Sequence, residues 1–206
     1  VEPMLCQNPE VMDKLEHSHP NEAGLARYLK TACGHPIYDD AGVKYFPIGE
    51  DKFREMLIQL ERAEKFIFME YFIVTEGRML DAVVDVLRKK AKEGVEVRFM
   101  YDGMCSLAMV PYNYPKKLAG YGIKCKVFSP IRPVLSTHQN NRDHRKILVI
   151  DGKVAFTGGI NIADEYINEQ VRFGHWKDSA IMITGAAVNS FTLMFLEMWA
   201  VRDGMT

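Results

Sequence analysis

The residues between positions 144 and 161 have the types and the order needed for chemistry on a phosphate ester. His144 and Lys146 stand two positions apart at the start of an apolar run, so a β-strand that begins by residue 144 would place both side chains on one face. Gly158, Gly159 and Asn161 follow a second apolar run. Glycines let backbone N–H groups approach a ligand closely, and Asn161 adds an amide donor. The imidazole could attack phosphorus or relay a proton, while Lys146 and Asn161 neutralise charge on the phosphoryl oxygens.

Each of these residues also has an ordinary explanation when it is taken alone. A single histidine is more often a surface residue than a nucleophile, and a lysine at a strand edge commonly serves to protect that edge. Two adjacent glycines are typical of a turn. The ordered combination of all of them within one segment favours the functional interpretation.

The two apolar runs predict a β-hairpin, since Asp151 and Gly152 between them form a tight-turn signal. An odd number of positions separates Asp151 from Lys146, so the period of two places the two side chains on opposite faces of the strand. We therefore expect Asp151 to have a structural role in the turn.

Strand and helix patterns alternate through the rest of the chain. Residues 66–74 are almost continuously apolar, as in a strand covered on both faces, and a helical repeat over residues 80–91 ends at Gly94 before the strand 95–101. This succession is a βαβ unit with a right-handed crossover. The sequence thus predicts an α/β fold, an α/β/α sandwich with a mixed, largely parallel sheet. Further helices are expected over residues 50–64, 115–120, 162–167 and 187–198, and further strands over residues 123–128 and 178–184.

Two acidic residues lie where these strands would support a site. Glu70 is the one charged residue within the apolar run 66–74, and a buried carboxylate requires a partner. Either a structural ion pair or a place behind the active site would explain it. Asp102 follows the strand 95–101 at its carboxyl end, where α/β sheets tend to bind ligands, although it could equally form a turn.

The spacing of the motif residues resembles that of a known superfamily. His144-x-Lys146, four residues, Asp151, six residues and then Gly158-Gly159-x-Asn161 are similar to the HKD motif of the phospholipase D superfamily. Gly159 replaces the usual serine and so removes a hydroxyl group that could contact phosphate. The resemblance is to the first HKD-containing half of bacterial cardiolipin synthases and extends from about residue 45 to the end. It includes Glu70-Tyr71-Phe72, Gly94-Val95-Glu96-Val97-Arg98, Tyr101-Asp102-Gly103 and Trp176-Lys177-Asp178.

The resemblance implies a phosphatidyltransferase reaction. His144 would attack the phosphodiester of phosphatidylglycerol, glycerol would leave, and a second phosphatidylglycerol would resolve the phosphohistidine to give cardiolipin. In the family, a carboxylate at the position of Asp178 hydrogen-bonds the nucleophilic histidine, which fixes its tautomer. Lys146, Gly159 and Asn161 would bind the phosphate, and neither a metal nor a cofactor is expected.

The resemblance also implies a second motif from elsewhere. Such enzymes combine two HKD motifs in one active site, and no second complete motif occurs in the 206 residues. Either a second copy of the chain supplies it across a two-fold axis, or it belongs to the missing C-terminal half of a longer protein. The start at Val1 and the similarity to cardiolipin synthases favour the longer protein, which would be attached to the cell membrane through N-terminal helices and of which this chain would be a soluble half-enzyme.

Composition and length suggest one globular domain. Residues 1–36 are polar and predict an N-terminal arm with a helix over residues 21–32, and residues 37–206 form the phospholipase D-like domain. The mostly apolar segment 179–201 is interrupted by polar residues and is assigned to a strand and an amphipathic helix, not to a membrane span.

Two other functions remain open at this level. A phospholipase D-type phosphodiesterase or nuclease could act as a homodimer, although the net charge of −1 gives no general attraction to nucleic acid, and no nucleic-acid partner is expected. Alternatively, the chain is a non-catalytic module that binds phosphate or lipid.

Overall fold

The computed structural model describes residues 6–131 and 142–201. Its strands are β1 (Gly42–Phe46), β2 (Phe66–Tyr71), β3 (Glu96–Asp102), β4 (Lys124–Phe128), β5 (Lys146–Ile150), β6 (Val154–Gly158) and β7 (Ala180–Thr184). Its α-helices are α1 (Pro9–Ser18), α2 (Pro20–Cys33), α3 (Gly49–Glu61), α4 (Arg78–Lys92), α5 (Tyr114–Ala119) and α6 (Val188–Ala200). Short 3-10 helices occupy Gly103–Leu107 and Asp164–Ile167.

The strands form one seven-stranded mixed sheet in the order β1-β7-β6-β5-β2-β3-β4. The predicted βαβ unit is confirmed, since β2 and β3 pair in parallel on either side of α4. Only β3 and β4 add a second parallel pairing, and the other four pairings are antiparallel. The sheet is therefore mixed as predicted but less parallel than expected, because β2–β5, β6–β7 and β1–β7 are antiparallel in addition to the predicted β5–β6 hairpin.

Helices cover both faces of the sheet, as the predicted sandwich requires. One core lies beneath α3 and α4 and includes Leu148 and Ile150 of β5, whereas the other lies beneath α6 and includes Ile147 and Val149. The alternation of the four residues follows from the period of two in a strand. No helix within residues 6–131 and 142–201 has the length and apolar character to cross a membrane.

Three elements differ from the expectations in extent. The N-terminal arm carries α1 in addition to the predicted helix, and β1 was not expected because most of its side chains are exposed. The helix expected over residues 162–167 is a 3-10 turn that begins at Asp164. Apart from these differences, the predicted helices and central strands are present, with ends shifted by a few residues.

One edge of the sheet gathers the residues that were predicted to do chemistry. The antiparallel register places Lys146, the first residue of β5, opposite Tyr71, the last residue of β2. The register of β6 and β7 likewise joins Gly158 to Ala180. The chain entering β5, the chain leaving β2 and β6, and the chain entering β7 thus meet at this edge.

Candidate functional site

His144 lies two residues before β5 and is exposed at this edge. The expectation that the strand includes it is wrong, because regular pairing starts only at Lys146. Its ring packs against Phe72, with the ring centroids 4.7 Å apart. The imidazole is therefore positioned by the chain that leaves β2 and remains open to an approaching ligand.

Lys146 is buried directly behind this histidine, with 5% of its surface exposed. Its Nζ donates a 2.6 Å hydrogen bond to the backbone oxygen of His144 and lies 5.3 Å from the centroid of the Phe72 ring. Burial lowers the pKa of Lys146, while the carboxylates of Asp143 and Asp178 act in the opposite direction. The two motif side chains thus adjoin the same aromatic ring.

The segment in front of His144 is fixed to the end of β3 by Asp102. This buried carboxylate accepts hydrogen bonds from the backbone N–H of Asp143 at 3.0 Å and from that of Met104 at 2.9 Å. Arg142 pairs with it at 3.2 Å and also donates to the backbone oxygen of Ser129. Asp102 therefore holds the approach to His144, and these contacts support its placement behind the site.

The residue that follows His144 is fixed in the same way by Glu70. Arg145 Nη2 lies 2.7 Å from Glu70 Oε1, although the group is not aligned for a hydrogen bond, and Arg145 Nε donates to Asp143 Oδ1 at 3.2 Å. Glu70 is fully buried, and its pKa is raised to about 9, first by burial and then by the neighbouring Asp143, with Arg145 acting against both. The raised pKa favours the protonated form of Glu70 at neutral pH.

Asn161 uses its amide within the protein. Its Oδ1 accepts a hydrogen bond from the backbone N–H of Ile73 at 2.9 Å, and its Nδ2 donates to the hydroxyl oxygen of Tyr166 at 2.9 Å. The side chain is 2% exposed. The sequence predicted that this amide binds phosphate. In the structure its oxygen and nitrogen are both bonded within the protein, and Asn161 joins the chain leaving β2 to the chain leaving β6.

Gly159 and Asp178 pack against each other at the ends of β6 and β7. A Cβ atom added at Gly159 would lie 2.1 Å from Asp178 Oδ1, so a side chain at position 159 requires the carboxylate to move. The Gly159 N–H donates to the backbone oxygen of Ser179, so the prediction of a free backbone donor for phosphate is wrong. The glycine instead makes room for Asp178.

Asp178 does not make the expected contact with the histidine. Its Oδ1 accepts from the backbone N–H of Ser179, and within residues 6–131 and 142–201 no hydrogen bond joins it to the His144 ring. Its electrostatic effect falls on Lys146, whose charged form it favours. The carboxylate is thus associated with the cation of the motif.

Asp151 lies at the opposite end of β5 and makes contacts that support the role expected for it. Its backbone adopts a φ of 56° in the turn, and its carboxylate accepts three hydrogen bonds of 2.8 Å from the backbone N–H groups of Glu64, Lys65 and Phe66. The third residue of the motif therefore fixes the start of β2 to the hairpin.

The arrangement offers an exposed imidazole, a cation behind it and rigid backbone on both sides. Arg132 and His138 belong to a segment before His144 that is rich in basic residues and was expected to place positive charge near the phosphate, and both lie outside the described residues. Within the described ranges, no group of three or more His, Cys, Asp or Glu side chains could hold a metal ion. The geometry suits a nucleophile acting on an anionic ester.

Three of the residues that build this site were not among the site residues predicted from the sequence. Phe72 supports both His144 and Lys146, Tyr166 binds the amide of Asn161, and Arg145 links the two buried acids. Glu70, the isolated acidic residue in the apolar strand, was the signal for Arg145, because a buried carboxylate requires a partner. Nothing in the linear pattern indicated the roles of the two aromatic residues.

Comparison with known families gives one match that covers most of the chain. The family described as "Cardiolipin synthase, PLD-like domain" matches residues 56–199. An uncharacterised protein of Streptococcus mutans is 54% identical over 98% of this chain. A cardiolipin synthase of Alkalihalophilus pseudofirmus is 39% identical over 84% of the chain, and one of Geobacillus kaustophilus is 38% identical over 90%. The chain spans 44%, 34% and 37% of the lengths of these three relatives.

Solved structures with the same fold are more distant in sequence. NucT from Helicobacter pylori superposes with a TM-score of 0.58 at 14% identity and covers 78% of this chain and 96% of its own. The phospholipase D family member Nuc from Salmonella typhimurium has a TM-score of 0.58 at 19% identity, covering 81% and 99%. A phosphatidylserine synthase from Haemophilus influenzae has a TM-score of 0.61 at 15% identity, covering 78% and 37%. These neighbours share the architecture of the sheet and its helices.

Proposed function

Because the chain belongs to the cardiolipin synthase, PLD-like domain family, we propose that it carries the nucleophilic half of a phosphatidyltransferase that makes cardiolipin from two phosphatidylglycerol molecules. The observation that carries this proposal is the exposed His144, set against Phe72 with the buried Lys146 directly behind it. An exposed imidazole next to a desolvated ammonium suits attack on a phosphodiester.

In the proposed first step, His144 Nε2 attacks phosphorus and the bond to the leaving glycerol oxygen breaks. The departing oxygen takes a proton from a second HKD motif. In the second step, the hydroxyl group of another phosphatidylglycerol gives its proton to the second motif and attacks phosphorus, and the bond between His144 Nε2 and phosphorus breaks to restore the imidazole. Lys146 stabilises the negative charge on the phosphoryl oxygens, and Asp178 supports Lys146 in its charged form. No metal and no cofactor take part in this scheme.

We propose that the chain is half of the complete site. A second motif would come from the remainder of a longer protein or from a second copy of the chain, and the membrane attachment would belong to the full-length protein. The relatives' greater length supports the first source, because the chain spans 44% or less of each of the three. We also propose that the chain divides into an N-terminal arm, residues 1–36, and a phospholipase D-like domain, residues 37–206.

Phosphatidyl-p-nitrophenol provides a test that does not require the second motif. Nitrophenolate leaves without being protonated, so a competent half-site should release a stoichiometric burst and retain a phosphatidyl group on His144. Mass spectrometry under alkaline conditions would locate the phosphohistidine. The His144→Ala variant should show no burst, and the matched variant His17→Ala, which changes an exposed histidine in α1, should show a full one.

The alternatives give different products in the same assay. Continuous release with phosphatidic acid as product would indicate a phospholipase D-type hydrolase, and light scattering would then show whether the active form is a homodimer. Lipid binding without a burst in any variant would indicate a non-catalytic module. Cleavage of DNA in parallel reactions would indicate a nuclease.

A further inference from the structure

The loop of residues 169–177, which leads into β7, is closed at its base by one side chain. Asn168 ends the 3-10 helix in a left-handed conformation with a φ of 56°. Its Oδ1 accepts the backbone N–H of Trp176 at 2.7 Å, and its Nδ2 donates to the backbone oxygen of the same residue at 3.0 Å. The Asn168 side chain thus bonds both backbone groups of Trp176, as a neighbouring strand would, and holds the two ends of the 169–177 loop together.

The closed loop presents apolar and basic side chains to the solvent in alternation. Val171 and Phe173 are each 78% exposed, and Arg172 stands between them. Lys177 is also exposed. Two large apolar side chains held this far out of the core at a fixed position indicate an interaction surface more than chance exposure.

The base of the loop is connected to the candidate site. The Trp176 ring packs on Tyr166, with centroids 5.0 Å apart, and the Tyr166 hydroxyl accepts the hydrogen bond from Asn161. Asp178, which follows the loop, lies against Gly159. A surface that bound the loop would therefore lie at the end of the sheet that carries the candidate site.

We propose that the 169–177 loop docks the chain on an anionic phospholipid bilayer. Val171 and Phe173 would enter the interfacial layer, and Arg172 and Lys177 would contact the anionic headgroups. The proposal rests on the proposed function only in its choice of lipid, since a bilayer of phosphatidylglycerol would supply the substrate.

The charge of the loop favours a bilayer over a second copy of the chain. Its acidic residue, Glu169, is already paired with Arg78 in α4. Arg172 reaches Glu165 at 3.2 Å but remains more than half exposed, and Lys177 adds a second positive charge. A two-fold axis through this surface would bring like charges together, whereas anionic headgroups complement them.

Vesicle flotation tests the proposal without any lipid turnover. The chain in the His144→Ala background is mixed with vesicles of equimolar phosphatidylglycerol and phosphatidylcholine, and the bound fraction is measured against lipid concentration. The double variant Val171→Ser/Phe173→Ser should bind about ten-fold more weakly because it loses the apolar insertion. Lys177→Gln should bind about five-fold more weakly to these vesicles and equally well to pure phosphatidylcholine.

A matched control uses exposed apolar residues outside the loop. Val43 and Tyr45 on the edge strand β1 are 64% and 63% exposed, so Val43→Ser/Tyr45→Ser should bind as the parent does. Equal binding by the loop variants, or no binding by the parent, would overturn the proposal. So would a dimer that the loop substitutions dissociate without any change in vesicle binding, because the partner would then be a second copy. Failure of the proposed function would appear separately, as the absence of a nitrophenolate burst in a chain that still binds vesicles.

Discussion

The two ends of strand β5 differ in their surroundings. The strand ends at the turn that contains Asp151, and it begins just after the segment that carries His144. The carboxylate of Asp151 accepts three backbone N–H groups and needs no cation beside it. At the other end, Glu70, Asp102 and Asp143 are buried together with arginines. Four residues of extended chain lie between Lys146 and Asp151, and the five steps from one to the other span about 17 Å.

The difference between the two ends suggests that the residues of one motif have two roles: Asp151 stabilises the fold, and His144 and Lys146 carry out the chemistry. At the Asp151 end, the acid accepts hydrogen bonds from three consecutive backbone N–H groups, which is a contribution to stability. At the His144 end, buried charges hold short segments in place at a cost in desolvation. Substitutions should therefore affect stability at one end and turnover at the other.

The largest effect is expected from Lys146→Met at the His144 end. Removal of the ammonium should slow nitrophenolate release about a thousand-fold, since one preorganised charge next to the phosphoryl group is lost. The free energy of unfolding should change by less than about 1 kcal/mol, because a buried ammonium carries a desolvation cost that methionine does not. Burst kinetics and urea denaturation measure the two quantities.

Lys153→Met is the matched control for this prediction, because Lys153 is an exposed lysine beside the Asp151 turn. It should leave both the burst rate and the stability unchanged. A loss of stability in Lys146→Met large enough to unfold the chain would contradict the division between the two ends.

A smaller effect is expected from Asp151→Ala, and it concerns the free energy of unfolding instead of the burst rate. Three backbone N–H groups lose their acceptor and a residue with a positive φ loses a side chain that tolerates it, so the free energy of unfolding should fall by about 2–4 kcal/mol. Asp151→Asn keeps one acceptor oxygen and should lose about half as much. Urea denaturation measures both variants.

The burst rate per folded molecule should be the same in the two Asp151 variants and in the parent. If Asp151→Asn slowed the burst while the chain remained folded, the aspartate of the motif would have a part in the chemistry.

A third effect is expected from Glu70→Gln, and it appears in the dependence of stability on pH. The pKa of Glu70 is raised from 4.5 to about 9, so between these values the folded chain binds more protons than the unfolded chain. The free energy of unfolding contributed by this group is therefore greatest below pH 4.5 and declines as the pH rises to about 9. The glutamine variant should lose this decline, which denaturation at a series of pH values would reveal.

Asp85→Asn is a suitable control for the pH series, since it changes an exposed carboxylate in α4. It should retain the decline of the parent. The same decline in Glu70→Gln would show that another group accounts for the proton uptake.

The sequence was sufficient for much of the fold because its patterns are local. The apolar run of β2, the helical repeat of α4 and the turn signal at Asp151 each predicted an element that is present. The edge strand β1 was missed because its side chains are mostly exposed and give no alternating signal. The majority of antiparallel pairings was missed because the order of strands in a sheet depends on contacts between distant segments.

The candidate site was predictable in its residue types but less so in its contacts. The closeness of His144 and Lys146 follows from their spacing, whereas the partners of Asn161 and Asp178 depend on segments from other strands. A donor or acceptor predicted to be free for ligand can be used by the protein itself, and Asn161 and the Gly159 N–H are both used in this way.

The contact between Gly159 and Asp178 also constrains how this sequence can evolve. Since a Cβ at position 159 would lie 2.1 Å from the carboxylate, a mutation from glycine to the serine found in the usual motif requires the Asp178 side chain to move. The two positions are therefore coupled, because the effect of a serine at position 159 depends on whether the side chain at position 178 can give way. Among descendants of this sequence, we expect a return to serine to be accompanied by a different placement of the side chain at position 178.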